Sequence, residues 1–86
     1  MPTVLHDVEG FDVIIHTRDE HNPPHVHVRK GEHEATINLG EGTNDPSLDE
    51  VSGMSKADAR KALEMVTDKK DMLRTRWNQI WKALHG

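Results

Sequence analysis

The chain has 86 residues, 30% of them charged, with a net charge of −4 and no cysteine. One domain is all that this length allows, and the missing cysteine excludes a disulfide framework or a thiolate zinc finger. Seven residues are histidine, against roughly two at ordinary usage, and six of the seven precede residue 34.

The charge is unevenly spread. Residues 1–49 carry three basic and ten acidic side chains, net −7, and residues 50–86 carry eight basic and five acidic, net +3. An acidic, histidine-rich half therefore precedes a basic half. This pattern argues against a protein that coats nucleic acid all over, which needs a dense basic footprint. No apolar run approaches the ~20 residues of a bilayer span. Met1–Leu5 lacks the basic and long apolar regions of a signal peptide, so the expectation is a soluble cytoplasmic protein. The absence of cysteine fits a reducing compartment.

Residues 1–40 read as strands. Thr3–His6 is short and β-prone, Asp7–Gly10 is a turn, and Phe11–Thr17 has the best strand propensity. Residues 18–24 form a polar loop, in which Asn22 is kept out of the α region by the proline after it. His25-Val26-His27-Val28-Arg29 alternates strictly, Lys30-Gly31-Glu32 turns the chain, and Ala35–Leu39 alternates again before Gly40. Strands this close in sequence pair antiparallel, as a meander. Residues 41–54 are rich in Gly, Ser and Asp and read as an irregular connector within the domain.

Ser55 is a suitable N-cap, with Asp58 placed as a capping-box acid, and residues 55–85 read as a helix. Ala59, Ala62, Leu63, Val66, Leu73, Trp77, Ile80, Trp81 and Leu84 fall within an arc of roughly 100°. Such a helix would be about 45 Å long, whereas a compact domain of this size has a radius of gyration of only about 12 Å. It therefore breaks near Thr67–Lys70 or projects past the sheet. A projecting end bearing Trp77, Ile80, Trp81 and Leu84 predicts a small partner protein or a homodimer. The expected architecture is α+β: a three- to four-stranded antiparallel meander packed on one long C-terminal helix.

Alternation also assigns the sheet faces. Phe11, Val13, Ile15, Val26, Val28, Ala35, Ile37 and Leu39 should face the helix. The opposite face then shows Asp12, Ile14 and His16, then His25, His27 and Arg29, then Glu34, Thr36 and Asn38. Threonine, lysine or glutamate could decorate such a face at less cost. Histidine there points to use of its near-neutral titration or its ring nitrogens.

The densest segment is Glu20-His21-Asn22-Pro23-Pro24-His25-Val26-His27-Val28, followed by Arg29-Lys30-Gly31. With the MPTVL start, the Gly10-Phe11 strand opening, the Ala35 strand and a terminal helix containing Trp77-Asn78, the chain resembles a small prokaryotic family known as domain of unknown function 4160. The resemblance covers nearly the whole chain, and PPHVHV is its most specific part. The sequence departs from the family at Asp12-Val13-Ile14-Ile15-His16, where members often carry an aromatic-rich strand. The resemblance implies one half of a two-gene module of toxin–antitoxin type.

Three chemistries fit the histidines. In the first, His25 and His27, with His21 from the loop and His16 or Asp12 from the neighbouring strand, hold Zn²⁺ or another transition metal, with Asp19 or Glu20 behind. In the second, His25, His27 and Arg29 supply acid, base and cation for metal-independent RNA cleavage, by analogy with small ribonuclease toxins that use a sheet face. Lys56, Arg60, Arg74 and Lys82 line one side of the helix and would assist. In the third, the histidines hold the Pro-Pro loop onto the sheet and the protein is an interaction module only. His6, His16, His33 and His85 fit that third role individually. With a single aromatic in the sheet half, a base-stacking reader of single strands is not expected.

Overall fold

The computed structural model describes residues 3–15 and 24–85. Five strands, β1 (Thr3–Val8), β2 (Phe11–Ile14), β3 (His25–Lys30), β4 (His33–Asn38) and β5 (Ser47–Ser52), form one antiparallel sheet in sequence order. Two helices follow, α1 (Lys56–Asp68) and α2 (Lys70–His85). Among the described residues no helix is long and apolar enough to cross a membrane.

Two hairpins set the register. Glu9 and Gly10 both have positive φ, 54° and 87°, between the paired Val8 and Phe11. That is the two-residue turn whose twist matches the flanking strands. Gly31 (φ 63°) leads the turn between the paired Lys30 and His33. β1 runs two residues past its expected end because Asp7, at φ 48°, is accommodated in an irregular stretch. Its N–H donates to Asp12 Oδ1 at 2.9 Å, which satisfies a group the bulge would otherwise leave unpaired.

The α+β expectation holds, but the strand count was low by at least one. β5 lies inside the segment read as irregular. Its register explains the omission: Leu48 pairs with Ile37 and Val51 with Ala35, so three steps along β5 match two along β4. The bulge places two apolar residues three apart on one side of the sheet, so a period-two pattern never appears.

The second correction concerns the helix, which is two helices rather than one. Ser55 caps α1 as expected, its Oγ accepting from the Asp58 N–H at 3.1 Å. At Lys69 the backbone leaves helical geometry (φ −108°, ψ 16°), and its N–H is shared between the carbonyls of Met65 and Val66. No proline or glycine causes the break. The tertiary structure does: the longest dimension of the molecule is 38 Å, shorter than a straight helix of this length. Bending keeps the apolar stripe on the core. Arg74 fixes the new direction by donating to the carbonyls of Leu39, Gly42 and Asn44, and Lys70 pairs with Asp45 at 3.0 Å.

The core lies between the sheet and the helices. Val13, Val26, Val28 and Ile37 from the sheet meet Ala62 and Val66 of α1 and Leu73 of α2, all fully buried. Trp77 is buried with them, and Ile80 and Trp81 pack half-buried against the same cluster. The apolar end of the helix therefore rests on the chain's own core. The side chain of Leu84 lies outside the described part.

Candidate functional site

Pairing places Ile14 opposite His27 and Asp12 opposite Arg29 on one side of β3. On the other side Asn38 faces His25, Thr36 faces His27 and Glu34 faces Arg29. Residues paired in this way share a face. The polar face expected from alternation is therefore present, with His25, His27 and Arg29 in a row along its central strand.

The chemistry of that row centres on Glu34. Its Oε2 lies 3.4 Å from His27 Nδ1, and its Oε1 lies 3.2 Å from Arg29 Nε. Thr36 Oγ1 is 3.5 Å from the same imidazole nitrogen. A carboxylate only accepts, so this contact favours a proton on the Nδ1 side of the ring. His27 is mostly covered, its side chain 17% exposed, whereas the Arg29 side chain is 52% exposed. One carboxylate thus lies between a sheltered imidazole and an accessible guanidinium.

His25 joins from the end of the strand. Its ring stands edge-on to that of His27, centroids 5.4 Å apart, and lies 5.1 Å from Trp77 of α2. Trp77 in turn stacks on Trp81 at 6.0 Å. The tryptophan that closes the core at this end of the sheet therefore also backs a site histidine.

Of the expected site residues, His25, His27 and Arg29 come together. His16 and His21, with Asp19 and Glu20, lie outside the described residues. Asp12 is turned toward β1, where its Oδ1 accepts from the Asp7 N–H and lies 3.9 Å from His6 Nδ1. Among the described residues no group of three or more His, Asp or Glu side chains is arranged to hold a metal ion. His25 and His27 alone supply two of the three or four donors that a zinc site uses.

Two contributors escaped the sequence reading. Alternation puts Glu34 on the correct face without marking a role for it, and counting back from a two-residue turn at Gly31-Glu32 puts it opposite Arg29. The approach of Trp77 to His25 left no local signal, because it depends on how α2 docks.

A family profile described as a domain of unknown function (DUF4160) matches residues 10–78. The match spans the Gly10-Phe11 opening, the whole β3–β4 site and the Trp77-Asn78 pair. No curated protein and no solved structure matches the chain.

Proposed function

The chain belongs to the DUF4160 family, and within it we propose that this protein is a cytoplasmic, toxin–antitoxin-like component that cleaves RNA through its β3–β4 histidine face. The coupling of Glu34 to His27 Nδ1 is the observation that carries the reading. It sets an imidazole against a carboxylate that can orient it, which is what a general base requires.

The step needs no added co-reactant. Nε2 of His27 takes the proton from a ribose 2′-hydroxyl. The 2′ oxygen then bonds to the adjacent phosphorus as the bond from phosphorus to the 5′ oxygen breaks. Protonated His25 gives its proton to that leaving oxygen, and Arg29 faces the charge that builds on the phosphoryl oxygens. The products are a 2′,3′-cyclic phosphate and a 5′-hydroxyl. The test is incubation of purified protein with a defined single-stranded RNA in the presence of EDTA. Cyclic phosphate ends, and no cut at a 2′-deoxy position, are expected. Intact RNA, or cleavage that appears only with divalent metal, contradicts the proposal.

A second reading has its own support. Glu34 pairs with Arg29 as well as His27, and such cross-strand contacts stabilise a sheet whether or not it is catalytic. On this reading the face is a protein-interaction surface, with or without a histidine-bound metal. Intact RNA in the same assay favours it.

A further inference from the structure

We propose that the outer edge of β5 takes up an extended, acidic segment of a partner protein as a sixth strand. β5 is the last strand of the sheet and all six of its residues are exposed. An edge strand presents unpaired backbone donors and acceptors that another strand can satisfy. The bulge described above turns Leu48 and Val51 to the helix side of the sheet. There they remain 39% and 42% exposed, two of the three large apolar side chains at the surface among the described residues.

These two side chains continue into a groove between β5 and α1, floored by Met54, Ala59 and Leu63. The only charged residues lining it are Lys56 and Arg60, one helical turn apart on the same side of α1. Among the described residues neither is in an ion pair. An apolar floor flanked by two uncompensated cations fits a strand that points apolar side chains inward and carries Asp or Glu beside them. The cations give local complementarity within a chain whose overall charge is negative.

The acids of β5 itself disfavour a second copy of this chain in centred register. Antiparallel pairing of β5 with its own copy would bring Asp49 and Glu50 of each chain together, and like charges across a pair are destabilising. Glu50 lies opposite Thr36 and so on the face away from the groove, whereas the acids of the partner segment lie on the groove side beside Lys56 and Arg60.

The experiment pans a random octapeptide phage library on the full chain and on a Lys56→Glu/Arg60→Glu variant, then measures enriched sequences as synthetic peptides. Apolar peptides bearing Asp or Glu should be enriched on the natural chain. Their binding should weaken roughly tenfold on charge reversal, and the amides of Ser47–Ser52 should exchange more slowly when peptide is bound. Leu48→Ser, an exposed change that keeps the core, should weaken binding in the same way. No enrichment, peptides without acid, indifference to charge reversal, or protection elsewhere than β5 overturns the proposal. So does a dimer that protects β5 without peptide, which would assign the edge to a second copy.

Discussion

The two faces of the sheet obey different rules although they share every strand from β2 to β4. On the helix side, Val13, Val26, Val28 and Ile37 have no exposed surface, and among the described residues no polar or charged side chain is buried. On the other side, His27, Thr36 and Glu34 are only partly covered and hold one another by polar contacts. Buried apolar area stabilises a fold without needing particular partners, so the first face can supply most of the stability. The second face is then open to residues chosen for their chemistry, at little cost to folding.

That division is exposed to direct tests. The largest stability effect should come from the helix side: Ile37→Ala is expected to cost about 2–5 kcal/mol of unfolding free energy, measured by urea denaturation. A loss as small as that of a surface change would mean that the two faces do not divide the work. On the histidine face, Glu34→Gln should leave stability within about 1 kcal/mol. On the proposed reading it should slow RNA cleavage roughly tenfold or more, because His27 would lose its orienting partner. Thr36→Ala should be milder on both counts, since its contact to His27 Nδ1 is the longer of the two.

The smallest effect is expected at the rim of the helix side, where Lys30 bonds Asp58 at 3.2 Å. The Lys30 ammonium holds the Asp58 carboxyl below its ordinary value of 3.8, with the Ser55 hydroxyl and Lys61 adding to the effect against desolvation. A depressed folded-state value contributes stability that is fully present above the unfolded value and is lost as pH falls through the folded one. Asp58→Asn should therefore lower stability slightly at neutral pH, where the contribution is fully present, and flatten the profile as pH falls through the carboxylate range, so that the two chains converge in acid. Thermal melts across that range check it.

The faces are legible in the sequence because β3 and β4 alternate cleanly, while in β2 the alternation is interrupted at Ile14, which is buried although it lies opposite His27. Phe11, Val13, Val26, Val28 and Ile37 fell on the core side for that reason, and His25, His27 and Arg29 on the other. β5 was not legible, since its bulge spaces Leu48 and Val51 like residues of a helix. The bend at Lys69 was foreseen only as one way to reconcile helix length with domain size. Its position is set by Arg74 and Lys70 gripping residues 39–45, a contact no local pattern announces. The role of Glu34 depends on register, and that of Trp77 on docking, so composition pointed to the histidines but not to what orients them.

The most direct single measurement is His27→Ala, read for folding and for cleavage on the same preparation. The account expects unfolding free energy within about 1 kcal/mol of the natural chain and RNA cleavage reduced by roughly 10²–10⁴-fold. Cleavage that persists unchanged, or is lost only because the variant unfolds, would contradict the assignment of stability to one face and chemistry to the other.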